Sequence, residues 1–121
     1  MKYGEGGRDK VYFNEYQQLA ERTARKANDT PEKRFVNFSF GLTGETGEVI
    51  DCLKKHLFHG HPLDREKLKI ELGDVMWYVA TLATTAGISL EEIAVANIEK
   101  LKTRYPEGFS EERSIHREDN T

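Results

Sequence analysis

The sequence predicts an all-α fold, a bundle of four to five helices completed by oligomerisation, and three observations carry that expectation. Proline and glycine punctuate the chain at Asn28 to Pro31, Gly60 to Pro62, Gly87, and Pro106 to Gly108, leaving four stretches of helical length and no strand candidate. Within those stretches the apolar residues recur at helical rather than alternating spacing. Only 37% of the 121 residues are apolar against 32% charged. That is thin for a chain that must hide its own core, so part of its apolar surface is expected between subunits.

The first helix is expected over about residues 9–28, where Phe13, Tyr16, Ala20, Ala24 and Ala27 fall at helical spacing. The second begins where Thr30 can cap and Pro31 can take the first helical position. The third runs from about Asp64 to Ala86 and stops at Gly87. The fourth opens with Ser89 and Glu92, a capping box in which each side chain satisfies a free backbone amide, and ends before Pro106. From Phe109 on, charge is plentiful and apolar material scarce. One domain is therefore expected over 1–121, with a helical core of about 9–108 and a charged tail, loose or docked, over 109–121.

Charge and composition exclude several classes of function. With 18 Lys and Arg against 21 Asp and Glu, the net charge of −3 provides no broad electrostatic footprint for nucleic acid. Any phosphate must be met locally. The longest nearly apolar run, Val75 to Ala83 interrupted by Thr81, falls far short of the roughly 20 residues that span a bilayer. Cys52 is the single cysteine, so no internal disulfide can form, and Glu5, Gly6 and Gly7 stand where a signal peptide would be apolar. A cytoplasmic protein is expected, with neither nucleic acid nor membrane as partner.

The most informative feature is an internal repeat. Glu45-Thr-Gly-Glu48-Val-Ile is matched 26 residues further on by Glu71-Leu-Gly-Asp74-Val-Met. On helices, Glu45 and Glu71 lie at the edges of apolar arcs (Phe38, Leu42, Val49 and Leu53; Leu68, Val75, Val79 and Leu82), with Glu48 and Asp74 about 60° further out. Packing those arcs together in an antiparallel pair would bring four carboxylates to one groove, which only cations make tolerable. A solvated acidic face is the alternative, since acid-x-x-acid pairs also arise by chance. Such a face normally carries Lys or Arg three or four residues on; here those positions hold Glu48, Val49, Asp51, Cys52, Asp74, Val75, Trp77 and Tyr78. Oxygen ligands of this kind suit Mg²⁺, with Mn²⁺ next.

Other features leave alternatives open. Gly41, Gly44 and Gly47 in the second helix and Gly73 in the third each cost about 1 kcal/mol relative to alanine, which signals a close approach to the backbone by another helix or by a ligand. Asn97, Lys100 and Arg104 share an arc of about 60° on the fourth helix. They could grip a phosphate, or the two cations could simply complement the helix dipole. His56, His59 and His61 form an HxxHxH cluster without a visible fourth zinc ligand. Tyr78 could stack a base or merely pack, and Cys52 reads as a buried structural thiol.

The stretches GLTGETGEV and ELGDVMWYVATLA resemble the ExxE, spacer, ExxD signature of the MazG-like, all-α nucleoside triphosphate pyrophosphohydrolases. FNEYQQLAERTA and NIEKLKTRYPEGFS resemble that family's opening and closing helices, so the likeness covers roughly residues 13–110. It implies a homodimer or homotetramer in which Mg²⁺ at Glu45, Glu48, Glu71 and Asp74 binds a nucleoside triphosphate, yielding the monophosphate and pyrophosphate in a nucleotide-pool housecleaning role. It also implies phosphate contacts from Asn97, Lys100 and Arg104, with Tyr78 the candidate for the base and Tyr16 and Gln17 behind it. A carboxylate must take a proton from the attacking water, and Glu45 is the choice for that base. Phosphoribosyl-ATP pyrophosphohydrolase, on a related fold, and a non-catalytic helical oligomer that binds nucleotide or metal are the alternatives.

Overall fold

Capping chemistry sets most of the helix boundaries. The computed structural model describes residues 9–117, with five helices in the order α1 (Phe13–Ala24), α2 (Pro31–Phe58), α3 (Arg65–Ala86), α4 (Leu90–Arg104) and α5 (Glu111–Ile115). Thr30 Oγ1 accepts the Lys33 amide at 3.2 Å ahead of Pro31, and Asp64 Oδ1 accepts that of Lys67 at 3.0 Å. Ser89 and Glu92 close the expected capping box at 3.0 and 3.2 Å. Gly87 ends α3 in the left-handed region, φ 74°, where glycine costs least.

Two boundaries differ from expectation. The first helix is shorter than 9–28 at both ends: Arg25 is already extended, and Asn28 adopts φ 63° to turn the chain into α2, a conformation asparagine tolerates better than most residues. Ala27 consequently lies outside the helix and exposed. The charged tail is docked and partly helical. Ser110 caps α5 by accepting the Arg113 amide at 3.0 Å, and Arg113 Nε donates to the Arg104 carbonyl at 2.8 Å. Residues 118–121 of that tail lie outside the described residues.

Helices α2 and α3 form the long antiparallel pair, α1 lies along α3, and α1 also touches α4. The core between α1, α3 and the start of α4 is Ala20, Ala80, Ala83 and Leu90, with Tyr16, Trp77 and Val79 packed around it. Polar staples hold α1 in place. Buried Gln17 donates to Thr84 Oγ1 (3.1 Å) and the Ile88 carbonyl (2.9 Å) and accepts the Leu90 amide (2.8 Å). Trp77 Nε1 donates to Thr23 Oγ1 at 2.8 Å. Arg34 pairs with both oxygens of Glu21, donates to Thr85 at 2.9 Å, and lies over the Phe38 ring at 4.9 Å.

Helix α4 is the least attached element. The chain turns through 103° between α3 and α4, and the α4 anchor is its first turn: buried Leu90, and Glu91 held by the side chain of Asn14. Beyond it Ile93, Val95, Ile98 and Leu101 are exposed, as are Val36, Phe40 and Ile50 on α2. Among the described residues no single helix is long and apolar enough to cross a membrane.

Candidate metal centre

The α2–α3 pairing aligns the two halves of the sequence repeat. Phe38 on α2 packs edge-on against Trp77 at 5.6 Å and lies 6.3 Å from Tyr78. At the other end buried Cys52 approaches the Asp64 carbonyl. Between these fixed points the antiparallel register brings Glu45 beside Glu71 and Asp74, with one carboxylate oxygen of each within 4.8 Å of the others. Among the described residues this is the one grouping of three such ligand atoms; the histidines of the HxxHxH segment do not form another. His56 Nδ1 instead donates to the carbonyl of His61 at 2.9 Å.

The electrostatics of the group are unbalanced. Partial burial first, then the Asp74 charge, a hydrogen bond shared with Glu71, and the charges of Glu71 and Glu48 hold the Glu45 carboxyl above its ordinary range. Every charge in that set is negative. Burial and then the Asp74 charge likewise push the Tyr16 phenol up, which places this α1 residue in the field of the site. Three carboxylates, with no lysine or arginine among the charges acting on Glu45, form a hard-oxygen donor set, and its chemistry fits a divalent cation such as Mg²⁺.

The remaining residues singled out from sequence are distributed differently. Glu48 lies one turn along α2, exposed, and outside the three-carboxylate group although its charge reaches Glu45. Tyr78 lies a turn beyond Asp74 with its ring against the backbone of Gly41, where a β-carbon would collide with it. Gly41 therefore serves helix packing. Gly44, Gly47 and Gly73 do not, because a β-carbon on any of them would meet nothing within 4 Å. Gln17 is engaged in the core staple, a structural task.

Asn97, Lys100 and Arg104 sit on α4, which leads away from the carboxylates. Asp74 and Lys100 stand at equal separations in sequence on either side of the Gly87 bend. At about 1.5 Å per helical residue their α-carbons are roughly 20–25 Å apart, beyond the reach of a lysine stem. The sequence shows the shared arc of these three side chains, but the direction in which α4 leaves α3 has no signature in it. Sequence reading also missed the Arg34–Glu21 pair, whose partners come from different helices with no motif linking them.

Comparison with known proteins places the geometry in context. Residues 37–109, which contain both acid pairs and all of α4, match the MazG nucleotide pyrophosphohydrolase domain. The Gene 37 protein of Mycobacterium phage L5 is 39% identical over 74 residues, a stretch covering 58% of this chain and 65% of the phage protein. The chain thus spans just under two thirds of that relative's length. No solved structure matches the chain significantly.

Proposed function

The chain belongs to the MazG nucleotide pyrophosphohydrolase family, and from that premise we propose that it hydrolyses ribo- or deoxyribonucleoside triphosphates to the monophosphate and pyrophosphate, in a Mg²⁺-dependent reaction that clears surplus or non-canonical nucleotides. The observation that carries this reading is the convergence of Glu45, Glu71 and Asp74 without a balancing cation, inside the matched region. These three residues would hold the metal, with Mn²⁺ as a substitute, and exposed Glu48 is the remaining candidate ligand. When bound, the metal supplies charge neutralisation to the phosphates, which is most of what phosphoryl substitution requires.

The chain's own residues supply the rest. Glu45, whose carboxyl is held above its ordinary range by burial and by its acidic neighbours, is the candidate to take a proton from the attacking water. Asn97, Lys100 and Arg104 would bind the phosphate chain. Tyr78, half-buried with its ring against Gly41 and beside Phe38, would be the side chain to contact the base. A cytoplasmic setting fits the lone thiol of Cys52.

A product assay tests the reading. Purified protein with Mg²⁺ and each common triphosphate in turn should give monophosphate and pyrophosphate, with no diphosphate, as separated by ion exchange. If every triphosphate and phosphoribosyl-ATP survive, the hydrolase reading fails and a metal- or nucleotide-binding module takes its place.

A further inference from the structure

We propose that the end of the α2–α3 hairpin is a docking surface for an anionic lipid bilayer, with Leu57 and Phe58 entering the membrane and Lys54, Lys55, Arg65 and Lys67 meeting the headgroups around them. The inference is independent of the hydrolase reading and concerns a surface remote from the carboxylates, since Phe58 lies about 20 Å along α2 from Glu45.

Three features of this end converge on a bilayer. The first is exposed apolar surface on a fixed shape. The hydrogen bonds from α1 meet the α2–α3 pair at Arg34, Trp77 and Thr84, toward its other end. Every residue from His56 to Lys67 is exposed. Leu57 and Phe58 are 67% and 78% exposed, and Leu63 and Ile70 are exposed on the same end. The segment is nevertheless tied down: the His61 amide donates to the Lys55 carbonyl at 3.1 Å, His56 Nδ1 donates to the His61 carbonyl at 2.9 Å, and Asp64 caps α3. Large apolar side chains held out in water on a projecting end cost free energy and mark a surface that something covers.

The second feature is charge. The net charge of −3 speaks against an anionic partner for the chain as a whole, but it conceals a local asymmetry. Residues 51–70 carry five Lys and Arg against three acids, while the rest of the chain carries 13 against 18. Lys55 and Lys69 pair with Asp51 and Glu66 on the surface, whereas Lys54, Arg65 and Lys67 form no ion pair among the described residues. The hydrogen bond from Lys55, and then the charges of Lys55, Lys54 and Lys67, hold the Asp51 carboxyl below its ordinary range, so cations from both helices converge here.

The third feature is room for a headgroup. A cavity of about 430 Å³ opens where α2 passes into α3, and Lys55, His61, Leu63 and Lys67 are among the residues that line it. It offers a phosphate group two ammonium donors beside an apolar wall.

A bilayer uses all three features together. Leucine and phenylalanine enter the acyl boundary, lysine and arginine stems reach back to the headgroups, and each cation adds attraction to an anionic surface. No matching groove is required, so a projecting end suffices. Nucleic acid would engage the same cations but gain nothing from Leu57 and Phe58.

Vesicle co-sedimentation tests the proposal. The full chain is mixed with phosphatidylcholine vesicles that contain either no anionic lipid or about one third phosphatidylglycerol. Wild type should pellet with the anionic vesicles and stay in solution with the neutral ones. Lys54→Ala with Arg65→Ala should weaken that partition at least about tenfold, and Leu57→Ser with Phe58→Ser should weaken it about tenfold. All four side chains are exposed, so both variants should keep the wild-type thermal midpoint.

A wild type that ignores anionic vesicles overturns the docking surface. So does full binding by the Leu57 and Phe58 variant, which would reduce the contact to unspecific attraction between opposite charges. Release of the bound chain by millimolar glycerol phosphate would make the cavity a site for a soluble phosphate instead, and equally tight binding of a DNA duplex by wild type and by the Leu57 and Phe58 variant would make the surface a nucleic-acid contact. Either result overturns the bilayer.

Discussion

Two clusters of charge lie along the same α3 helix and are treated in opposite ways. At its C-terminal end Arg34 meets Glu21 with both carboxylate oxygens engaged, Thr85 takes another guanidinium N–H, and the Phe38 ring covers the cation. Both side chains are about seven-eighths buried, at 14% and 13% exposure, and each charge is matched within the chain. Toward the N-terminal end Glu45, Glu71 and Asp74 crowd together with like charge only. The first cluster is what a chain does with charge when the purpose is to fold. The second breaks the rule that partly buried charges are paired, and breaks of that kind are where function is expected.

Exchanging the two outcomes is the strongest test of the contrast. Glu71→Gln or Asp74→Asn should lower turnover by about 10²-fold or more, while the thermal midpoint holds or rises because like-charge repulsion is relieved. Arg34→Ala should do the reverse, costing about 3 kcal/mol in urea unfolding by leaving Glu21 buried and unpaired and leaving turnover per folded molecule intact. Full activity in both acid variants would remove the functional half of the comparison.

The next largest effects separate glycines and amides that look alike in sequence. Gly41→Ala forces a β-carbon into the Tyr78 ring and should cost about 1–3 kcal/mol. Gly44→Ala meets open space and should instead stabilise an isolated chain by about 1 kcal/mol. If a second copy occupies that space, sedimentation of Gly44→Ala will show weakened association despite the more stable helix. Gln17→Ala removes three core hydrogen bonds, one of them to the first amide of α4, and should cost about 2 kcal/mol. Equal unfolding midpoints for the two glycine variants would contradict the packing role given to Gly41.

What could be read from sequence divides along the same line. Thr30, Asp64, Ser89, Glu92 and Gly87 act through neighbours within a turn, and such local chemistry is visible in the order of residues. The acid repeat was legible because a pattern repeated in two helices, together with the apolar arcs, fixes their register. The 103° turn was not, because a left-handed glycine permits many exits and the choice is made by Gln17 and Asn14, over 70 residues away in sequence. Gly41 and Gly44 carry the same letter, and only the Tyr78 ring distinguishes them. The α5 helix was hidden by composition, since a charged segment gains order only from the contacts it finds, here the carbonyl of Arg104.

The smallest predicted effect concerns pH, and its sign sets Glu45 against Asp51. Glu45 is held above its ordinary value of 4.5, so in the presence of a chelator the folded chain binds that proton more tightly than the unfolded chain does. Its contribution to stability is full below 4.5 and is lost as pH rises through the raised value. Asp51 is held below its ordinary value of 3.8, first by the hydrogen bond from Lys55 and then by the Lys55 charge, so its contribution is present above 3.8 and is lost as pH falls through the lowered value. The two windows do not overlap, and Glu45→Gln should flatten the decline above pH 4.5 whereas Asp51→Asn should not. Because the site is open to solvent, the difference between wild type and Glu45→Gln should amount to about one or two degrees in thermal midpoint. Mg²⁺ should reverse the slope, since a cation that binds the ionised carboxylates stabilises the folded chain more as they lose their protons. A decline that persists unchanged in Glu45→Gln, or one that Mg²⁺ leaves untouched, would mean that the crowded carboxylates are an ordinary acidic face.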